Sequence, residues 1–245
     1  MVSSDTVDFI RMAVFVLKLC LFVIGLFALP FAIAAHRERR KKQAAAMSAK
    51  AGELDLKFSG PASSRLAGMV RHLDSLDVDT GRDRCALNVV EGSFDGHPVA
   101  GFDYHYATRG DWWWPPKWTT HNYVSIVLVD LEEEFPELTI GPEGGGLFKR
   151  IAEAFGRDDI DFESHEFSEQ LDVRSKDKKF AYDFCNARMI EYLLKNRDIS
   201  LEVDRSSLAL GYKDMHNVSR IKLRLASLVE IRSRMPNYLF EGANA

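Results

Sequence analysis

The clearest hydropathy feature of the chain is an apolar run near its start. Residues 12–35 contain a single charged side chain, Lys18, and the basic sequence His-Arg-Glu-Arg-Arg-Lys-Lys follows directly. A helix over this run would be about 36 Å long at 1.5 Å per residue, which exceeds the ~30 Å hydrocarbon core of a bilayer. The pattern therefore predicts a transmembrane helix over residues 10–35.

The flanks of this run predict its orientation. The predicted juxtamembrane stalk, residues 36–53, begins with five basic side chains: Arg37, Arg39, Arg40, Lys41 and Lys42. Because positively charged flanks stay on the cytoplasmic side, we expect residues 1–9 outside and the rest of the chain inside. The sequence thus predicts a single-pass protein of the cell (inner) membrane, N-out/C-in, with residues 54–245 as one cytoplasmic domain.

The same run can also be interpreted as a secretory signal peptide. Leu19–Phe31 would then be its apolar core, and Ala32-Ile33-Ala34 would be its cleavage site. The anchor is favoured because the run is longer than a signal core needs and the basic cluster behind it would resist translocation. Under the signal-peptide alternative the domain would be exported and its tryptophans would bind glycans.

Alternation and helical periodicity beyond the stalk predict a mixture of strands and helices. The predicted strands are Leu54–Phe58, Ala86–Phe94, Val99–Tyr106, Tyr123–Leu131, Glu137–Ile140, Ile160–Glu163, Phe167–Val173, Ser200–Val203 and Leu208–Tyr212. The predicted helices are Ser63–Leu76, Leu147–Phe155, Asp177–Lys195 and Asn217–Met235. Asp95-Gly96 lies between two alternating runs and predicts a β-hairpin. Because regular βαβ alternation is absent, we expect an α+β fold with a mostly antiparallel sheet and about four helices.

The second half of the chain carries a weak internal repeat. At an offset of 39 residues, Ile160 aligns with Ile199 and Ser168 with Ser207. The repeat predicts two helix-strand-strand units within residues 147–235 that share one sheet. The alternative is that similar elements recur by chance.

Charge and cysteine usage exclude several classes of function. Residues 44–245 carry 25 Lys/Arg and 33 Asp/Glu, and this acidic balance argues against nucleic-acid binding. Cys85 and Cys185 have neither disulfide-framework nor metal spacing, which suits a reducing cytoplasm. The run Gly144-Gly145-Gly146 precedes a predicted helix but lacks the Lys-Ser/Thr of a phosphate-binding loop. We therefore expect no cofactor.

One segment offers candidate metal ligands. Four side chains that suit a divalent cation occupy every second position, and on a strand they would share one face: Asp159, Asp161, Glu163 and His165. They would support a metal-assisted hydrolase, which is the alternative function. The solvent-exposed face of any half-buried strand shows the same alternation, so the favoured expectation is neither a metal site nor a catalytic residue. Neighbouring predicted strands could also gather three histidines, although isolated strand histidines are more often surface or packed residues than ligands and no spacing here argues otherwise: His97, His105 and His121.

All four tryptophans of the chain lie in one short segment. They are Trp112, Trp113, Trp114 and Trp118, with Lys117 beside the last. Pro115-Pro116 forbids a helix or a paired strand there, so the segment is predicted to be a stiff loop. Indole rings favour the lipid interface, and we expect this loop to contact the bilayer or a protein partner. Alternatively, the rings fold back and cover the edge of the sheet.

The last predicted helix has two contrasting sides. Its apolar side contains Ile221, Leu225 and Leu228, and five basic residues accompany it: Arg220, Lys222, Arg224, Arg232 and Arg234. The basic residues could lie against anionic lipid, or they could form an ordinary solvated face.

A set of positions within residues 155–195 resembles a pattern in a bacterial membrane-anchored family known only as a domain of unknown function. The matching residues are Glu166, Phe167, Leu171, Val173, Ser175, Asp177, Ala181, Met189 and Leu193. The resemblance implies a membrane-tethered domain in a prokaryote and brings no activity and no site residues. Taken together, the sequence predicts a membrane-anchored binding or scaffolding domain rather than an enzyme.

Overall fold

The computed structural model describes residues 11–18, 34–35, 38, 41–61, 82–109, 119–142, 160–213 and 218–241. The chain divides into two compact units, Met1–Ala46 and Met47–Ala245. The described residues of the first unit are helical. No helix among the described residues is long and apolar enough to cross a membrane. Of the predicted span, residue 10 and residues 19–33 lie outside the described residues.

The second unit is an antiparallel sheet with helices, which confirms the α+β fold class. Its strands are β1 (Lys57–Pro61), β2 (Arg82–Phe94), β3 (His97–Arg109), β4 (Thr119–Pro142), β5 (Leu171–Ser175) and β6 (Ser200–Tyr212). Its helices are α1 (47–53, the part of the helix over 41–53 that belongs to this unit), α2 (His165–Gln170), α3 (Lys178–Phe184), α4 (Ala187–Lys195) and α5 (Ile221–Arg234), followed by a 3-10 turn at Asn237–Leu239. All five strand pairings are antiparallel, and the chain has about six helices among its described residues.

The sheet is organised around β4, which is 24 residues long. Its first half pairs with β3 through Thr119–Val129, and its second half pairs with β5 through Leu138–Pro142. β6 pairs with both halves along the other edge. Strands β1, β2 and β3 therefore follow one another across the sheet. Strands β3 and β5 lie end to end along one edge of β4, and β6 lies along its other edge. The two strands predicted at Tyr123–Leu131 and Glu137–Ile140 are both part of β4. The two predicted at Ser200–Val203 and Leu208–Tyr212 are both part of β6.

A large bulge separates the two halves of β4. Asp130 lies opposite Ser207 and Leu138 opposite Val203, so residues 131–137 of β4 oppose only 204–206 of β6. Glu132 and Arg205 have positive φ angles of 67° and 50°. Extra residues in one strand of a pair bend it and sharpen its twist. This bulge explains why the hydropathy pattern indicated two strands.

The predicted hairpin between β2 and β3 is confirmed. Phe94 pairs with His97, and the turn residues Asp95 and Gly96 have φ angles of 48° and 84°. Two positive φ values match a type I′ turn, whose twist fits that of the flanking strands. The Asp-Gly pair therefore sets the register of the hairpin locally.

Both faces of the sheet carry buried apolar side chains. On one face α5 packs against β3, β4 and β6 and contributes Ile221, Leu225 and Leu228 to the main core. Gly101 permits this approach, because a Cβ there would lie 3.2 Å from Ile221 Cδ1. The opposite face holds a second cluster with strand residues Ala86, Val89, Ala100, Phe102, Tyr104, Val124, Ile126, Leu128 and Ala209.

The folded unit begins earlier than the sequence indicated. Met47 and Ala51 of α1 are 0 % and 2 % exposed and belong to the main core. Residues 47–53, predicted as the end of the stalk, therefore contribute to the domain. The first strand also lies later than predicted, at Lys57–Pro61, and it includes Gly60 and Pro61.

Three predictions between residues 160 and 195 are wrong. The predicted strand Ile160–Glu163 is irregular, and the predicted strand Phe167–Val173 is α2 followed by β5. The predicted long helix is two helices, because the Asn186 side chain accepts hydrogen bonds from the amides of Arg188 and Met189 and starts α4. Hydrophobic periodicity does not show whether a polar residue such as Asn186 lies inside a helix or caps its start.

The internal repeat is not present in the part of residues 147–235 that the structure describes. Ser168 lies in helix α2, whereas its counterpart Ser207 lies in strand β6. Aligned residues thus adopt different secondary structures, and the recurrence is one of sequence only. The predicted helices Ser63–Leu76 and Leu147–Phe155 lie outside the described residues.

Candidate functional site

A row of polar side chains crosses β2, β3 and β4 on the face that α5 covers. In β3, Phe102 and Tyr104 belong to the second cluster, so the alternating Asp103 and His105 face the same side as Val99 of the main core. The members of this polar row are Cys85, Asn88, Asp103, His105, His121, Tyr123 and Ser125. Their placement follows from strand register rather than from closeness in the chain.

Asp103 holds one end of the polar row. It is 0 % exposed, its Oδ1 accepts a 2.8 Å hydrogen bond from Ser125 Oγ, and its Oδ2 accepts a 2.7 Å bond from Asn88 Nδ2. Buried polar groups are stable only with partners. Both oxygens of Asp103 are engaged by neighbouring strands, so this carboxyl group ties the three strands together.

Asn88 lies at a break in the β2–β3 pairing. The register shifts between Leu87 and Val90, and Asn88 has a φ of 53°. Asparagine tolerates this left-handed conformation better than most residues. The bulge thus combines an unusual backbone with a side chain that donates to the buried carboxyl group.

The other end of the polar row contains a thiol and two imidazoles. Cys85 Sγ lies 3.8 Å from His105 Nδ1, and His105 Nε2 lies 2.9 Å from His121 Nδ1. The two rings are stacked with centroids 5.1 Å apart, and the Tyr123 ring lies 4.8 Å from that of His105. Cys85 and His121 are exposed, whereas His105 is 9 % exposed. Each ring nitrogen of His105 therefore contacts a different neighbour.

The structure brings together two of the three histidines that the sequence singled out. His97 pairs with Phe94 beside the hairpin turn, at the far end of β3 from His105. His105 is eight residue steps along the extended chain from His97, a distance of about 26 Å. Among the described residues, no three His, Cys, Asp or Glu side chains form a group that could hold a metal ion.

The acidic strand face is not formed as the sequence predicted. Asp161 and Glu163 lie in an irregular, exposed segment, and His165 begins helix α2. Ser164 Oγ accepts a hydrogen bond from the Phe167 amide and starts this helix. Because no strand exists here, alternate residues do not share a face. Asp159, the fourth candidate ligand, lies outside the described residues.

Three arginines of α5 pack on aromatic rings. Arg224 is 3 % exposed, with its guanidinium 4.2 Å from the Tyr212 ring, and Tyr212 lies opposite Ser125 in the sheet. Arg232 lies over Phe240 and Arg234 over Tyr192, at 3.7 Å and 4.8 Å. Burial lowers the pKa of Arg232, an effect that Glu132 opposes. Only Arg220 and Lys222 of the five basic residues are exposed, so the basic face is smaller than predicted.

Two groups of predicted contact residues fall largely outside the described residues. They are the loop residues Trp112, Trp113, Trp114, Lys117 and Trp118, and the basic residues Arg37, Arg39 and Arg40. Lys41 and Lys42 are described and exposed. Contact of these side chains with lipid or with a partner remains a prediction.

The residues behind the family resemblance have structural roles. Six of them are buried in the main core: Phe167, Leu171, Val173, Ala181, Met189 and Leu193. Ser175 Oγ donates to the Glu137 carbonyl, and Asp177 Oδ1 accepts from the Phe180 amide to start α3. These residues therefore contribute to the core and to helix capping, and their contacts assign none of them to a functional site.

Comparison with known proteins finds a similar fold but no family. No family model matches the chain, and no curated protein matches it in sequence. The crystal structure of the mycobacterial trehalose monomycolate transport factor A, TtfA, is similar with a TM-score of 0.50 at 10 % sequence identity. The match covers 78 % of this chain and 93 % of that chain. The two proteins thus share a similar fold.

Sequence reasoning missed most of the polar row, although one signal was present. With Asp95-Gly96 as a two-residue turn, an undisturbed hairpin places Asn88 opposite Asp103. That register would have paired an amide with a carboxyl group. The bulge then shifts Cys85 to a position opposite His105, and no local pattern indicates such a shift.

Proposed function

We propose that the chain is a membrane-anchored binding or scaffolding protein that supports a transport process. The observation that carries this proposal is the likeness in fold to a transport factor, which extends over most of both chains. The polar row agrees with such a role, because the Asp103 carboxyl group at one end of it is held by Asn88 and Ser125 of the domain itself. A domain of this kind acts through its surface.

Residues 10–35 would serve as the anchor, with the domain in the cytoplasm. The support for this part of the proposal is the apolar run with one charged residue and the basic cluster that follows it. The loop from Trp112 to Trp118 would contact the bilayer or a protein partner beside it, because indoles and Lys117 match the chemistry of an anionic lipid interface.

Site-directed thiol labelling in intact cells tests the orientation. A cysteine is placed at Ala245 in a chain carrying Cys20→Ser and Cys85→Ser, which leaves only the buried Cys185. A membrane-impermeant maleimide should label residue 245 only after the cells are permeabilised. Ser4→Cys in the same background should be labelled in intact cells. Labelling of residue 245 from outside would favour the exported alternative and overturn the proposed location.

Liposome flotation tests the contact surface. Fragment 44–245 retains the whole second unit, and we expect it to float with vesicles that contain anionic lipid. Replacing Trp112, Trp113 and Trp114 by Ala should abolish flotation while leaving the circular dichroism spectrum unchanged. The control is Leu223→Ala, which removes a 66 % exposed apolar side chain from α5. If the wild-type fragment does not float, the lipid contact is wrong and a protein partner remains.

A further inference from the structure

We propose that Cys85 is a reactive thiol that exchanges with low-molecular-weight disulfides, with His105 as its proton acceptor and His121 as a positioning residue. This role is independent of the binding function proposed above. It assigns a site of covalent modification to the exposed end of the polar row.

The geometry is that of a nucleophile, a base and a group that orients the base. Cys85 Sγ lies 3.8 Å from His105 Nδ1, within reach for a sulfur donor, and His105 Nε2 lies 2.9 Å from His121 Nδ1. In the proposed proton arrangement the thiol donates to His105 Nδ1, and His105 Nε2–H donates to His121 Nδ1. Activation of a thiol by a base that a third group orients is a recurring arrangement for nucleophiles.

Strand register fixes these three side chains. Cys85, His105 and Tyr123 are direct neighbours across β2, β3 and β4, and His121 lies diagonally from His105, opposite Ala107. Diagonal neighbours across antiparallel strands are within reach of aromatic side chains. Among the described residues, the other ionisable groups on this side include the Tyr123 phenol, the Asp103 carboxyl group two residues along β3, and the Tyr212 phenol with Arg224 of α5 over it. Asp103 is held by Asn88 and Ser125.

Accessibility separates Cys85 from Cys185. Cys85 is exposed, and its base His105, on the neighbouring strand, is only 9 % exposed. Cys185 is buried in the main core, and burial raises the pKa of its thiol well above the ordinary range. Reactive cysteines are accessible thiols beside a basic group, whereas buried ones are inert. Cys185 is therefore a built-in control.

The exchange balances because the small disulfide is itself the oxidant. The Cys85 proton moves to His105 Nδ1, and the thiolate attacks one sulfur of a small disulfide. A new S–S bond forms to Cys85 as the old one breaks, and the departing thiolate takes the proton from His105. One disulfide is consumed, one thiol is released and Cys85 is left as a mixed disulfide.

The test measures the rate of reaction with 4,4′-dithiodipyridine, an uncharged disulfide, on the full chain in detergent with Cys20→Ser. A thiol with an ordinary pKa of about 8.5 is only a few per cent thiolate at pH 7. We expect one thiol to react about tenfold faster than in the same chain unfolded in urea, with the midpoint of its pH–rate profile at lower pH. Cys85→Ser should remove this fast reaction, and Cys185 should react only on unfolding.

Two histidine variants separate proton transfer from mere exposure. His105→Gln should lower the rate to that of the unfolded chain and return the pH midpoint to that of the unfolded chain. His121→Gln should move rate and midpoint part of the way. If His105→Gln does not fold by circular dichroism, His121→Gln and the wild-type pH profile decide. A native rate no faster than the unfolded rate, or folded histidine variants with unchanged profiles, would overturn the proposal.

Discussion

The hydroxyl of Ser125 in β4 donates a 2.8 Å hydrogen bond to the Asp103 carboxyl group in β3, and both residues are fully buried. This pair joins two central strands through side chains as well as through the backbone. Asn88 extends the connection to β2 at the point where the backbone register breaks. The network thus spans a break in the β2–β3 pairing.

Removing the shared carboxyl group should be costly. Asp103→Ala leaves the donors of Ser125 and Asn88 without this acceptor, and we expect a loss of about 2–4 kcal/mol in the free energy of unfolding. Ser125→Ala should cost less, about 1–2 kcal/mol, because Asn88 still donates. Urea denaturation of fragment 44–245 measures both. Asp161→Ala, an exposed carboxyl group, is the control, and an equal effect of all three variants would contradict the prediction.

The start of the folded unit is testable on α1. Met47 is 0 % exposed in the main core, so Met47→Ala should destabilise fragment 44–245 by about 2–4 kcal/mol. Lys50→Ala on the same helix removes a surface ion pair with Glu53 and should cost less than about 1 kcal/mol. Thermal melts followed by circular dichroism compare the two. Equal melting temperatures would mean that α1 is not part of the core.

The basic residues of α5 should separate into structural and surface groups. Arg224→Ala removes a buried cation over Tyr212 and the packing of its aliphatic stem, and we expect a loss of about 2 kcal/mol. Lys222→Ala, its exposed neighbour, should change stability by less than about 0.5 kcal/mol. Urea midpoints distinguish the two variants. Equal stability combined with equal loss of liposome binding would instead indicate that both side chains contact lipid.

The terminal turn provides a prediction on pH. Desolvation of the phenol and the 2.9 Å hydrogen bond that it donates to Asp183 raise the pKa of Tyr238. A raised folded-state pKa means that this bond stabilises the fold below the ordinary tyrosine pKa, about 10, and that the contribution is lost as the pH rises through the folded value. Tyrosine ¹³Cζ NMR titration should show Tyr238 ionising at lower pH in Asp183→Asn than in the wild type. An unchanged titration would show that Asp183 has no part in the shift.

The features that the sequence predicted correctly depend on neighbours in the chain. Asp95-Gly96 specifies its turn through two residues with positive φ, and the Val- and Ile-rich runs of β4 favour extended backbone. These signals do not need the rest of the fold. The antiparallel sheet and the α+β class follow from them.

The features that it missed depend on tertiary contacts. Asn186 starts a second helix partly because its Nδ2 also donates to the Arg234 carbonyl, a residue far along the chain. Arg224 is buried because α5 lies across the sheet beside Tyr212. The thiol and the two imidazoles meet only after the bulge at Asn88 shifts the register. Composition and periodicity do not predict such contacts between residues that are far apart in the chain.

The length of β4 has a consequence for how the domain opens. Val127–Val129 and Leu138–Ile140 lie on opposite sides of the bulge, yet β6 bonds to both. Neither half of β4 can separate from its neighbours while β6 stays in place, so their backbone amides should exchange with deuterium through one shared event. Native-state hydrogen exchange should therefore find equal opening free energies at both ends of this strand. The sheet would then respond to force as one unit, so that a force applied at the β2–β3 hairpin would also act on β5.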